Sequence, residues 1–143
     1  IEGERLTEDV LGRAALLEDM NRTVKQRMPH IVEEYRERLL ESVKELLGDR
    51  QVDESRIITE VALFADRIAT DEETVRLDSH LVQLRAIFDE GGSVGRKLDF
   101  LLQEMNREVN TIGSKSNDLE VTKLIVEMKS QLEKIREQIQ NIE

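Results

Sequence analysis

Apolar residues recur every three or four positions along the first third of the chain. This spacing places them on one face of an α-helix, because one helical turn takes 3.6 residues. Pro29 interrupts the stretch, so residues 1–48 are predicted to form one long helix or two helices joined at a kink. A continuous helix would span roughly 60 Å and would need a partner of similar length to cover its apolar face. That face consists of Leu6, Val10, Leu17, Val24, Met28, Ile31, Tyr35, Leu39, Val43 and Leu46.

Residues 117–143 carry the most regular pattern, in which apolar spacings of four and three alternate as in a coiled-coil seam. Asn117 or Asp118 is suited to cap the N-terminus of this helix. Its partner is predicted to be the N-terminal helix, running antiparallel, or the same helix of a second subunit. The seam consists of Val121, Ile125, Met128, Leu132, Ile135, Ile139 and Ile142.

Residues 53–115 predict three shorter helices, covering about 55–68, 71–90 and 93–115. Glu54 or Ser55 would cap the first, and Thr70 with Glu73 has the spacing of a capping box for the second. Gly91-Gly92 would end the second helix, and Ser93 or Val94 would begin the third. The residues predicted to be buried in the first two are Ile57, Ile58, Val61, Leu63, Phe64, Ile68, Val75, Leu77, Leu81, Leu84 and Phe88. The fold is therefore predicted to be all-α, a single domain over 1–143 with long antiparallel coiled-coil-like helices and a smaller helical bundle.

Composition narrows the classes of function. The chain contains no cysteine, which excludes disulfides, a zinc–thiolate site and a cysteine nucleophile. No apolar run reaches the ~18 residues of a membrane span. The sequence opens at Ile1 without the pattern of a secretory leader, so we expect a fragment or processed chain in the cytoplasm.

The net charge of −10 argues against a free-standing nucleic-acid binder. Residues 91–143 are nearly balanced, with 8 basic and 9 acidic side chains, so RNA contacts are expected there.

The helix predicted over residues 93–115 has an apolar stripe and an unusual polar face. Solvent faces are commonly rich in Glu and Lys, whereas this one mixes amides, Arg and Thr with acids. Such a face indicates either a hydrogen-bond network between helices or a functional surface. It consists of Asp99, Gln103, Glu104, Arg107, Glu108, Asn110 and Thr111.

Residues 99–115, followed by Asn117-Asp118, resemble the signature of the bacterial YicC/YloC family. The resemblance continues in residues 60–66, 72–80 and 134–143, so it covers essentially the whole chain. It implies the C-terminal half of an endoribonuclease about twice this long. It also implies a divalent metal as cofactor and a ring-like homo-oligomer, with a hexamer as one form of it.

The resemblance also selects candidate site residues. Glu104 and Glu108 are four apart and point the same way, and facing helices of a bundle can direct carboxylates at a shared metal. The residue types alone favour a structural role for His80, whereas the family resemblance favours a functional role. The catalytic candidates are His80, Glu104 and Glu108. The metal candidates, for Mn²⁺ or Mg²⁺, are Glu60, Glu73, Glu104 and Glu108. The phosphate-binding candidates are Arg76, Arg96, Lys97, Arg107 and Lys115. The alternative is a structural role, in which these cations only neutralise the carboxylates.

The function that the resemblance implies is metal-dependent cleavage of RNA phosphodiester bonds, with RNA and other copies of the chain as partners. No membrane partner or organic cofactor is expected. The sequence shows no aromatic platform for base stacking, so recognition of backbone and shape in structured RNA is expected. Two alternatives remain open. The chain is a non-catalytic oligomerisation or adaptor protein, or it is an RNA-binding cofactor of RNA degradation.

Overall fold

The computed structural model describes residues 2–90 and 95–142, and within these residues every element is an α-helix. The prediction of an all-α fold is confirmed. The predicted stop at Gly91-Gly92 and the predicted start at Ser93 or Val94 lie outside the described residues. The helices are α1 (Glu2–Leu47), α2 (Glu54–Ile68), α3 (Asp71–Glu90), α4 (Gly95–Lys115) and α5 (Leu119–Ile142). In this part of the chain, no helix is both long and apolar enough to cross a membrane.

Helix α1 is continuous through Pro29, which decides between the two alternatives left by the sequence. Proline holds φ near the helical value but lacks an N–H, so the carbonyl of Lys25 loses its usual helical partner. The helix nevertheless runs for 46 residues, roughly 70 Å.

The N-terminal two-thirds of α1 packs with α3, α4 and α5 into a four-helix bundle, called the bundle below. Polar contacts give the directions of the helices. Arg13 contacts Gln131 and Arg27 contacts Asp118, so α1 and α5 are antiparallel, as predicted. Helix α4 also packs along α5, so the apolar seam of α5 faces two helices within the chain. The burial predicted for Ile142 lies outside the described side chains.

A second set of contacts orders α1, α3 and α4. Asn21 donates from its amide to the carbonyl of Thr74 and to the carboxylate of Asp78, which makes α1 and α3 neighbours. Arg85 of α3 contacts Glu18 of α1, so these two helices are antiparallel. The contacts Arg76–Glu108 and Glu73–Lys115 make α3 and α4 antiparallel as well. The core holds residues from all four helices: Val10, Ala14, Leu17, Val24, Ile31, Ile68, Leu77, Leu81, Leu84, Leu98, Leu101, Leu102, Met105, Val109, Ile112, Val121, Ile125, Met128, Leu132, Ile135 and Ile139, with Ile68 contributed by α2.

Beyond Ile31, α1 extends past the bundle and packs against α2. Tyr35 of α1 stacks on Phe64 of α2, with ring centroids 3.9 Å apart. The burial predicted for Leu46, Ile58 and Leu63 is wrong, since their side chains are 86%, 64% and 55% exposed. Two helices without further layers cover only one narrow stripe of each other, so the outer apolar positions stay in contact with solvent.

The prediction for Val75 is also wrong, because this side chain is 62% exposed. Leu77, Leu81 and Leu84 face the core, and a residue two positions before Leu77 lies about 200° away around the helix. The cap of α2 is Asp53 rather than Glu54 or Ser55, since the Asp53 carboxylate accepts from the backbone N–H of Ser55.

Of the two residues predicted to cap α5, Asn117 and Asp118, it is Asp118 whose carboxylate accepts from the backbone N–H of Val121, at 3.1 Å. The capping box predicted at Thr70 takes another form. Glu73 directs its carboxylate to Lys115 and Arg76 instead of back to the start of its own helix. That carboxylate therefore belongs to the contact between α3 and α4.

Candidate active site

The packing of α3 against α4 brings His80, Glu104 and Glu108 together. One ligand atom from each lies within 4.8 Å of the other two. Glu104 and Glu108 stand one turn apart on α4, and the antiparallel α3 places His80 opposite them. The Glu108 side chain is buried, whereas His80 and Glu104 are half-buried. The three catalytic candidates thus share one place that solvent reaches from one side.

A chain of ion pairs runs along the α3–α4 contact from this cluster. The guanidinium of Arg76 donates from Nε to Oε2 of Glu108 at 2.9 Å. Its NH2 nitrogen lies 3.7 Å from Oε2 of Glu73, whose other oxygen accepts from Lys115. Lys115 also donates to the carbonyl oxygen of Ala69 at 2.8 Å. The hydrogen bond to Glu108 is the main cause that raises the pKa of Arg76. Two buried carboxylates are therefore compensated by two cations.

His80 carries an unusual polar atom at this cluster. Its Nδ1 is buried and has no hydrogen-bond partner among the described residues. Buried polar atoms are nearly always satisfied, so an unpartnered nitrogen on a histidine of this cluster indicates a missing ligand or proton partner. One imidazole nitrogen and two carboxylates form a donor set suited to a divalent cation that keeps further positions for water. The residues present fit such an ion.

The remaining predicted metal ligands differ in position. Glu73 lies next to the cluster through Arg76, but both of its oxygens are engaged by Arg76 and Lys115. Glu60 is exposed on α2 and is not a member of the three-residue group found among the described residues. Within one copy of the chain, the structure therefore assembles Glu104 and Glu108 with His80 rather than with Glu60.

The predicted phosphate-binding cations also separate into two groups. Arg76, Arg107 and Lys115 lie along the site, and the exposed Arg107 reaches to 3.8 Å from Glu104. Arg96 and Lys97 are exposed near the start of α4, about 18 Å along the helix from Glu108. Arg96 instead lines a shallow groove that continues on α5 with Arg136 and Gln140.

Two features near the site were not predicted from the sequence. Arg27 forms hydrogen bonds with both Asp118 and Glu34, although the sequence indicated only a capping role for Asp118. The second feature is the stacked pair of Tyr35 and Phe64. These rings lie 29 positions apart in sequence, so only the packing of α1 on α2 brings them together.

Comparison with known proteins decides the family. The family model described as "Endoribonuclease YicC-like, C-terminal" matches residues 24–143. The chain belongs to this YicC-like family, as its signature predicted. A protein of Clostridioides difficile (strain 630), named "Probable endoribonuclease YicC", is 51% identical over 143 residues. A protein of the same name from Haemophilus influenzae is 40% identical over 142 residues. Each match covers 99% of this chain and 49% of the relative, so the chain spans about half the length of these YicC-like relatives.

Proposed function

We propose that this chain carries the metal-binding part of an endoribonuclease, in which Glu104, Glu108 and His80 hold one divalent cation. The observation that carries the proposal is the convergence of one ligand atom from each of these three side chains within 4.8 Å, together with a buried His80 nitrogen that lacks a partner among the described residues. The names of the YicC-like relatives support ribonuclease chemistry. The divalent cation and the structured RNA substrate are our inference from the donor set and the charge pattern.

When bound, the cation would lower the pKa of a coordinated water and offset charge on the phosphoryl group. The protein side chains have separate roles. Glu104 and Glu108 would provide the negative charge that retains the ion, and Glu108 pairs with Arg76 in the structure without the ion. His80 either completes the ligand set or moves a proton during cleavage.

The cations around the cluster are placed to hold the RNA backbone. Arg107 is 73% exposed and lies 3.8 Å from Glu104, so its guanidinium can turn towards a phosphate without breaking a close hydrogen bond. Arginine suits this task because its planar fork matches two phosphate oxygens. Arg76 is half exposed and stands between the two buried carboxylates, where it can contact the same strand.

Mn²⁺ fits the donor set better than Mg²⁺. Imidazole nitrogen is a ligand that transition metals prefer, whereas Mg²⁺ is held mainly by oxygen and water. We therefore expect tighter binding of Mn²⁺, and the loss of that preference in His80→Ala if the imidazole is a ligand. An unchanged preference would assign His80 to proton transfer.

The test is cleavage of an end-labelled RNA hairpin by the longest natural form of the protein, with Mn²⁺, with Mg²⁺ and with chelator. Glu104→Gln and Glu108→Gln are compared with Glu137→Gln, which removes the same charge from an exposed position on α5. We expect loss of cleavage of about 100-fold or more in the first two variants, since metal ligands and their support typically have effects of that order. Equal cleavage by all variants with intact fold would refute the site.

The adaptor alternative is supported by the ion pairs Lys115–Glu73 and Arg76–Glu108, which join α3 to α4 whether or not a metal binds. Direct titration of Mn²⁺, followed by the electron spin resonance signal of the free ion, separates the two functions. No stoichiometric binding, together with no cleavage, would leave the cluster as an interhelical network in a scaffold.

A further inference from the structure

A second polar site lies at the end of the bundle, where α1, α2 and the α4–α5 connection meet. The groove there has a volume of about 670 Å³, within the ~300–1,000 Å³ typical of small-ligand sites. It is called the end groove below. Its polar lining includes Glu34, Arg38, Arg67, Ser114, Lys115, Ser116, Asn117 and Asp118.

The charges of the end groove favour an anion. Its two carboxylates, Glu34 and Asp118, each accept two hydrogen bonds from Arg27, which also lies 3.2 Å from Glu120. Lys115 is engaged by Glu73. Among the described residues, neither Arg38 nor Arg67 takes part in an ion pair within 4.0 Å. The lining thus holds three cations, Arg38, Arg67 and Lys115, against two carboxylates, and the first two cations have no close ion-pair partner among the described residues.

The end groove also offers an aromatic surface. Phe64 lines the groove and is stacked on Tyr35, and the guanidinium of Arg67 lies 5.8 Å from the centre of the Phe64 ring. An aromatic ring next to arginines is the combination with which proteins bind single-stranded nucleic acid. Because Tyr35 covers one face of Phe64 and Arg67 lies over the ring, a base would meet the edge of the ring while the cations contact the backbone.

The end groove is physically continuous with the candidate active site. Lys115 lines the groove and binds Glu73, Glu73 contacts Arg76, and Arg76 binds Glu108. Lys115 lies about two turns, roughly 10 Å, beyond Glu108 along α4. A strand held in the groove would therefore reach the three-residue cluster within a few nucleotides.

We propose that the end groove binds a phosphodiester of a single-stranded RNA segment, held by Arg38 and Arg67 with the base beside the edge of Phe64. The groove would position the strand for cleavage at the cluster of His80, Glu104 and Glu108. The identity of the ligand as RNA rests on the proposed function. Binding itself is independent of cleavage, so the two are measured separately.

The experiment measures fluorescence anisotropy of a labelled single-stranded uridine 12-mer in chelator, where cleavage is prevented. The double variant Arg38→Gln/Arg67→Gln is compared with Arg36→Gln/Arg56→Gln, which has the same net charge. Arg36 is about 200° around α1 from Arg38, and Arg56 is about three turns along α2 from Arg67. A third variant, Arg38→Lys/Arg67→Lys, keeps both positive charges at the groove. All variants are first checked for unchanged helicity and melting temperature.

We expect Arg38→Gln/Arg67→Gln to raise the Kd about tenfold or more and to lower the slope of log Kd against log salt by about 0.7, since one phosphate contact on a single strand contributes ~0.7. The control should change the Kd less than about twofold, and the lysine variant should retain most of the binding. Equal effects of the two glutamine variants, no effect of either, or no RNA binding by the unmodified chain would overturn the inference.

Cleavage distinguishes failure of this inference from failure of the proposed function. Binding that depends on Arg38 and Arg67 without any metal-dependent cleavage would uphold the groove and refute the nuclease. Cleavage that is lost in Glu104→Gln but unaffected by the groove variants would uphold the nuclease and refute the groove.

Discussion

Removal of the Arg27 side chain is the sharpest test of how the bundle is held at the end where α1 meets α5. Arg27 is 17% exposed and donates two hydrogen bonds to Asp118, at 3.1 and 2.8 Å, whose side chain is 14% exposed. It also contacts Glu34, which is 48% exposed. Asp118 in turn caps α5 through the backbone N–H of Val121. Arg27→Ala therefore leaves a mostly buried carboxylate without its cation.

The magnitude follows mainly from the contact with Asp118, because exposed ion pairs contribute little. Hydrogen bonds to charged groups are worth ~1.5–3 kcal/mol each, but water can reach the emptied space and the cap contact to Val121 remains. We therefore expect Arg27→Ala to lower the free energy of unfolding by about 2–3 kcal/mol. At this chain length that corresponds to a fall in Tm of roughly 6–9 °C.

The assay is urea and thermal unfolding at pH 7, followed by far-UV circular dichroism. The matched control is Arg22→Ala on the same helix, where the arginine is 56% exposed and pairs with exposed acids. It should cost less than about 0.5 kcal/mol. If both variants lose the same stability, the contact between Arg27 and Asp118 does not hold the two helices together.

The same contact predicts a pH dependence. Arg27 holds the pKa of Asp118 below its usual value, chiefly through their hydrogen bonds. The carboxylate thus contributes stability above its unfolded pKa of ~3.9, and this contribution is lost as the pH falls through the lower folded value. The difference in stability between the unmodified chain and Arg27→Ala should therefore shrink below about pH 4. A constant difference down to pH 2 would show that the lost stability comes from packing.

Two further predictions concern glycines and metal. Gly12→Ala should stabilise α1 by about 0.8–1 kcal/mol, because the new Cβ meets nothing within 4 Å. Gly113→Ala should gain little or lose stability, because its Cβ would lie 3.1 Å from Cγ2 of Ile125, and equal gains in urea unfolding would contradict this. Mn²⁺ at about 100 times its Kd should raise the free energy of unfolding by about 2.7 kcal/mol, and Glu104→Gln should abolish that rise in a thermal shift assay.

The helices were largely predictable because burial in a bundle imposes the period of 3.6 on the sequence. The seam of α5 from Val121 to Ile139 is buried as predicted. The errors at Ile58, Leu63 and Val75 have a common physical cause. Periodicity identifies an apolar position, but only the packed structure decides whether a neighbouring helix reaches it.

The family signature predicted the members of the candidate site, but the sequence did not predict the long-range contacts around it. The family signature named His80, Glu104 and Glu108, and the packing of α3 on α4 places them together. The role of Arg27 at Asp118 was not predictable, because its partner lies 91 positions away and no periodic pattern marks such a pair. The contact of Phe64 with Tyr35 was not predictable for the same reason, since the two residues lie 29 positions apart.

Arg76 stabilises the contact between α3 and α4 and is also proposed to contact RNA. These two roles lead to a last prediction. Its guanidinium compensates Glu108 in the absence of metal, so a divalent cation at Glu104 and Glu108 must share a carboxylate with it. Two positive groups beside one carboxylate repel each other, and the mobile one is the arginine, whose side chain is half exposed. Metal binding is therefore expected to loosen Arg76 from Glu108 and free it for a phosphate of the RNA.

If Arg76 competes with the metal, Arg76→Gln should bind Mn²⁺ several-fold more tightly while cleaving RNA more slowly, and Arg76→Lys should stay close to the unmodified chain in Mn²⁺ affinity. Mn²⁺ titration and the hairpin assay measure the two effects independently. Weaker Mn²⁺ binding by Arg76→Gln would reverse the assignment, because it would mean that Arg76 positions Glu108 for the metal instead of competing with it. In that case the ion pair is part of the metal site itself, and the guanidinium is not available to the substrate.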